Sequence, residues 1–223
     1  MSTPIAILII VILFLSFILP FLLRRLYLKK LFSKLEQKEI EGLNLLLDST
    51  LCKLLFRPFN REFLRLNGYL MNNDFEHIDS QFIFLIHKMQ LNPDQSLSVL
   101  NKAFNYYLSK RDVKHTNKVL KEMKKRQISD SEFKKNMMLY EIILEKKTNY
   151  IDEISKIIEK IEGSNEKSNE FMKYRLSVLQ YLMGLQYSYL HDTENMNKYF
   201  NLALVGLTDT PFENEIQKVR SKL

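Results

Sequence analysis

The chain has 223 residues and a net charge of +7, with 46% hydrophobic residues, eleven tyrosines, fifteen phenylalanines and no tryptophan. Five glycines and five prolines are too few for a turn-dense β-sandwich or barrel. A single cysteine excludes an internal disulfide framework and the usual cysteine-based zinc sites.

Pro4–Leu23 comes first in the chain and carries no charge over twenty residues. A helix of that length rises about 1.5 Å per residue and spans roughly 30 Å, the hydrocarbon thickness of a bilayer. No Lys or Arg precedes the run, and Arg24-Arg25 stands where a secretory signal would carry a small-residue cleavage site. The pattern predicts an uncleaved transmembrane helix at residues 4–23, with Pro20 near its exit end.

The flanks set the orientation. Only Ser2 and Thr3 lie between Met1 and the run, whereas Arg24, Arg25, Lys29, Lys30, Lys34 and Lys38 follow it against a single Glu36. Basic residues close to a span stay cytoplasmic. The expectation is a single-pass protein of the cell membrane, N-terminus outside and the rest on the cytoplasmic side. A lone Cys52 agrees with a reducing compartment.

Residues 24–38 hold six of the 33 basic residues and one of the 26 acidic ones, which leaves residues 39–223 close to neutral. The basicity therefore belongs to the membrane edge and speaks against a nucleic-acid face. Arg24, Arg25, Lys29, Lys30 and Lys34 are expected to contact anionic headgroups, with Tyr27 at headgroup depth. The stripe Leu28, Leu31, Phe32 and Leu35 equally suits packing on the domain that follows, and the two roles are compatible.

Residues 24–58 thus read as a basic juxtamembrane helix and connector. A short helix is expected over Glu39–Asp48. Pro58 interrupts the next apolar stretch, and Asn60 is the expected N-cap of a helix from Arg61. Cys52 reads as a small buried hydrophobe, since nothing nearby activates a thiol.

Residues 59–223 are repetitive. Tyr69-Leu70, Asp74-Phe75, Ile78, Phe82 and Leu85 recur as Tyr107-Leu108, Asp112-Val113, Thr116, Leu120 and Met123, an offset of 38 residues between Asp74 and Asp112. Each set predicts a helix, a turn, and a second helix capped by the Asp. A fainter pair runs from Phe133 to Leu144 and from Ile151 to Ile161, with a helix stop at Gly163–Asn165. The clearest is Phe171–Leu190, a turn at His191–Thr193, and Glu194–Leu207. Pro211 opens a terminal helix.

Gly184, Tyr187, Asp192, Met196, Phe200 and Ala203 resemble the tetratricopeptide repeat pattern, in which a small residue and a tyrosine on one helix meet an aromatic and an alanine on the next. The earlier units match in part, with Leu66 and Phe104 at the small position. The resemblance covers roughly residues 60–210. It implies an all-α chain in which the transmembrane helix is followed by an α-solenoid of three to four hairpins. It also implies a concave surface for a protein or peptide partner, either free or membrane-bound.

No phosphate-cradling glycine loop, HExxH pair or GxSxG elbow occurs. The expectation is a membrane-anchored interaction module that is not an enzyme and takes no cofactor or metal. Tyr107, Tyr140 and Tyr181 on presumed first helices are candidate aromatic anchors for the partner. Lys114, Lys118, Lys121, Lys125 and Arg126 form a basic flank. They offer an alternative, binding of anionic lipid or nucleic acid. A hydrolase with a dispersed site is the other alternative.

Overall fold

The structure, a computed structural model, describes residues 3–163 and 169–222, with the backbone alone for residues 3–17. Among the described residues all regular structure is helical, in twelve helices, with no strand. Residues 164 and 165 of the expected helix stop lie outside the described residues. The chain forms two compact units, Met1–Ala103 and Phe104–Leu223.

The first unit opens with α1 (Thr3–Glu36), one helix of 34 residues that runs through Pro20 without a break. Its later half is amphipathic. Tyr27, Leu31 and Leu35, spaced by four, are buried in a cluster with Leu43, Leu47, Cys52 and Phe56. Phe32, expected on the same stripe, is exposed, because the buried face turns toward Tyr27 instead. Tyr27 is buried inside the protein, 8% exposed. Its hydroxyl donates to the Leu46 carbonyl at 2.9 Å and lies 2.6 Å from Ser49 Oγ, so the protein satisfies the group that a headgroup would have taken.

Lys38, at φ 57°, turns the chain back, and Lys34 pairs with Glu39 across the turn. Then α2 (Ile40–Asp48) returns along α1, and Ser49 caps α3 (Thr50–Leu55) by accepting from the Cys52 amide at 3.2 Å. Cys52 is fully buried, and burial pushes its thiol above the usual value.

The next helix, α4 (Pro58–Asn72), starts earlier than expected. Proline costs nothing at the first helical position, where an amide would lack a partner anyway, and it holds Arg57 in extended backbone. Asn60 therefore lies inside the first turn instead of capping it. Arg65 ties α4 to α2 through Asp48 at 2.7 Å and Asn44 at 2.8 Å. The hairpin partner is α5 (Phe75–His87). The following α6 (Pro93–Ser109) begins with a reciprocal cap: the Gln95 amide donates to Asn92 Oδ1 at 2.9 Å and the Asn92 amide to Gln95 Oε1 at 3.2 Å. The division between the units falls within this helix.

The second unit adds α7 (Val113–Lys125), α8 (Asp130–Ile143), α9 (Ile151–Glu162), α10 (Glu170–Tyr189), α11 (Thr193–Leu207) and α12 (Pro211–Arg220). One core cluster draws on α8 to α12, with Ile142, Ile154, Met183, Phe200 and Ile216 among its buried members. Gly184 lets α10 and α11 close. A Cβ there would lie 2.4 Å from Phe200 Cδ1. The buried Gln186 joins α10 to α9 by accepting from the Tyr150 amide at 3.0 Å.

These contacts rank three substitutions. Gly184→Ala must displace the Phe200 ring and is expected to cost about 1–3 kcal/mol. Ala203→Glu places an unpaired charge at a fully buried position and should cost about 3 kcal/mol or more. Gly163→Ala, where a Cβ meets only a backbone oxygen at 3.4 Å, should stay within about 1 kcal/mol of wild type. Urea denaturation of the three variants tests the order.

Candidate functional site

The three tyrosines singled out as partner anchors are core residues. Tyr181 is 1% exposed, Tyr140 5% and Tyr107 7%. Each phenol or ring has an internal role. Tyr181 donates to Glu215 on α12, Tyr140 accepts from Asn117 at 2.8 Å, and Tyr107 stacks on His115 at 4.9 Å between centroids. Burial, then Glu215, raises the Tyr181 hydroxyl far above its ordinary value. A first-helix tyrosine at these positions fills the hairpin seam, so no ring face is left for a partner.

The basic flank is a solvated face. Lys114, Lys118, Lys121 and Lys125 are exposed, and Glu122 lies among them, 3.8 Å from Lys125 and 3.7 Å from Arg126.

Three hairpin corners share one geometry. Asn73, Arg111 and His191 adopt left-handed φ of 53°, 56° and 57°, and the Asp after each donates its amide back to Tyr69, Tyr107 or Tyr187 at 3.0 Å. The carboxylates of Asp74, Asp112 and Asp192 then cap the next helix. In the first two corners a His follows three residues on. His77 lies 2.9 Å and His115 2.6 Å from its Asp, and each ring stacks on the corner tyrosine. The carboxylate at Nδ1 holds His77 above its usual range. These histidines belong to corner construction, and the Asp-x-x-His proximity needs no catalytic explanation.

The polar feature that the sequence reading did not assemble is in the first unit. Arg24 lies over the Phe56 ring, 5.5 Å from its centroid. The contact follows from the return of α2, since Tyr27 on α1 meets Leu46 and Ser49 at the far end of α2. From there α3 continues toward the apolar half of α1 and ends beside Arg24. Arg24, Lys53, Arg57, Pro58, Asn60 and Gln95, with Leu54, Leu55 and Phe56, line an open groove of about 570 Å³. No acidic residue lines it. Of the other expected membrane-edge residues, Arg25, Lys29 and Lys30 are exposed on α1, and Lys34 is occupied by Glu39.

Among the described residues no cluster of His, Cys, Asp and Glu is arranged to hold a metal ion. The shifted groups of the second unit are engaged structurally. Glu141 is held below its usual range by Tyr150 and then Lys147, and burial together with Glu141 pushes Tyr150 up to about 12.

The acid limb of stability follows. Backbone donation from His115 lowers Asp112, Asn195 lowers Asp192, and Glu141 is lowered as above. Depressed carboxylates stabilise the fold above the ordinary range near about 4 and lose that contribution as pH falls through their lowered values. The melting temperature is expected to fall between about pH 5 and pH 3. Asp112→Asn with Glu141→Gln should flatten that limb, and an unchanged slope in calorimetry would count against these assignments.

Among the described residues no helix is long and apolar enough to cross a membrane; the side chains of residues 4–17, most of the expected span, lie outside that set. Set against family models, curated proteins and solved structures, the chain matches none.

Proposed function

We propose that the protein is a membrane-anchored, single-pass interaction module whose helical hairpins, arranged as a tetratricopeptide-like solenoid, hold a protein or peptide partner at the cytoplasmic face. The observation that carries the anchor is the treatment of α1. Its described apolar residues Leu19, Phe21, Leu22, Leu23 and Leu26 are left exposed by the rest of the chain, Phe21 at 67%. Immediately afterward the same helix becomes basic and is built into the core of the first unit through Tyr27, Leu31 and Leu35. An uncovered apolar surface on a helix that continues the uncharged Pro4–Leu23 run suits lipid.

The reading as an interaction module rests on repeated hairpins and on the structural occupation of the groups with shifted titration. Tethering raises the effective concentration of the module toward partners on the same membrane, so individual contacts can be weak. Because Tyr107, Tyr140 and Tyr181 are internal, the partner surface must use other, exposed first-helix positions.

Topology is tested with the full chain carrying Cys52→Ser and Gln217→Cys, which puts a single thiol at an exposed site on α12. An impermeant maleimide should label it only after the membrane is permeabilised. Labelling of intact cells reverses the orientation. Extraction of the chain by alkaline carbonate removes the anchor altogether.

A further inference from the structure

We propose that the corner formed by Arg24, Lys53, Arg57 and the first turn of α4 binds the phosphate of an anionic membrane phospholipid. The inference rests on the membrane-anchored reading of α1 and adds a defined ligand to it.

Position is the first argument. Arg24 follows Leu23 directly, so the end of the apolar run and the groove wall are consecutive residues of one rigid helix. With Pro4–Leu23 in the hydrocarbon, Arg24 lies at the level of the lipid phosphates. The α3–α4 corner is held at the same level, because Phe56 lies against Arg24 and Tyr27 fixes the end of α2 about one turn higher. Lys29 and Lys30, about 9–10 Å farther along the axis than Leu23, lie above that level.

Charge is the second. Arg24, Lys53 and Arg57 converge on the groove, and among the described residues none of them pairs with a carboxylate. Three cations on one lining with no carboxylate among them make the groove a positive site that favours an anion. The opening turn of α4 adds to the field. Arg57 supplies no side-chain cap, Pro58 has no amide hydrogen, and the Phe59 and Asn60 amides have no partner inside the helix. Guanidinium groups suit phosphate oxygens through paired N–H donation.

The third argument is apolar exposure beside the charge. Leu54 is 79% exposed and Leu51 43% exposed on α3, next to Lys53. In water such side chains are a cost, whereas at the bilayer interface they seat among acyl chains while the neighbouring cations reach the phosphates. A free inorganic anion would account for the cations and leave the leucines unexplained. An open groove of about 570 Å³ also suits a headgroup.

The test uses the full chain in an uncharged detergent. Native mass spectrometry counts bound short-chain phosphatidylglycerol, with phosphatidylcholine and inorganic phosphate as the other two arms. One retained phosphatidylglycerol is expected. Lys53→Gln with Arg57→Gln, both exposed positions, should weaken it by about tenfold. Lys29→Gln with Lys30→Gln removes the same charge outside the groove and should change it by no more than about twofold. Unaltered melting of both double variants establishes that each is folded. Equal losses from the two variants would reduce the effect to diffuse attraction and overturn the site. Equal retention of phosphatidylcholine removes the charge selection, and inorganic phosphate binding as tightly as the lipid assigns the groove to a free anion. Carbonate extraction of the chain from native membranes is scored separately. An extracted chain refutes the anchor, while a resistant chain with a silent groove refutes only the lipid site.

Discussion

The docking of Tyr27 against the end of α2 is the constraint on which the first unit depends. A buried phenol without a partner costs about 1–3 kcal/mol, and here the Leu46 carbonyl and Ser49 satisfy it. The same Ser49 caps α3. One hydroxyl pair therefore fixes where α2 stops, where α3 starts and how both lie along α1. Since α1 has no break between its apolar and docked halves, the orientation of α2, α3 and α4 follows the axis of the apolar segment. A flexible linker at residues 24–38 would have decoupled the two.

Repetition from residue 59 onward has a local cause. At each of the three matching corners a non-glycine residue takes the left-handed conformation, which costs about 1 kcal/mol without compensation. The Tyr carbonyl bond and the Asp cap supply that compensation within a few residues, so the corner is encoded by Tyr, Leu or Ser, and Asp at fixed spacing. This is why the hairpins were legible from sequence. Asp74, Asp112 and Asp192 were read as caps from their place before an apolar run, and each accepts the expected amide. The stacking of His77 and His115 on the corner tyrosines leaves no periodic signal in the sequence.

Elsewhere the sequence was legible only as far as local chemistry decides. The helices that periodicity predicts over Glu39–Asp48 and Glu194–Leu207 are found at Ile40–Asp48 and Thr193–Leu207. The start of α4 did not, because Pro58 was read as a breaker although proline both ends one segment and opens the next. The side chains at Tyr107, Tyr140 and Tyr181 were misplaced for a different reason. An aromatic residue on a first helix faces the seam or the concave side depending on a rotation of about 100° per residue. Sequence spacing gives the period of such a helix and leaves its phase to packing. The groove at Arg24, Lys53 and Arg57 joins residues that are about thirty positions apart and meet only because α2 runs back.

The distribution of charge pairing separates structural cations from available ones more clearly than the net charge does. Arg65 reaches Asp48 and Glu62, Arg111 reaches Glu215 and the Ile143 carbonyl, and Lys147 bridges Glu141 and Glu145. Arg65 and Arg111 tie separate helices together and Lys147 closes the end of α8, each beside a carboxylate. Around Arg24 the fold brings cations and an open helix start and places no carboxylate beside them. A protein interior would not tolerate that arrangement, because unpaired like charges in low dielectric repel strongly. It is tolerated at a surface whose neighbour supplies the opposite sign. Arg24, Lys53 and Arg57, the exposed Leu51 and Leu54 and the end of the apolar run therefore lie in one corner of the first unit. The proposed lipid site would meet both features in one environment, since the boundary of an anionic leaflet is at once apolar and negatively charged.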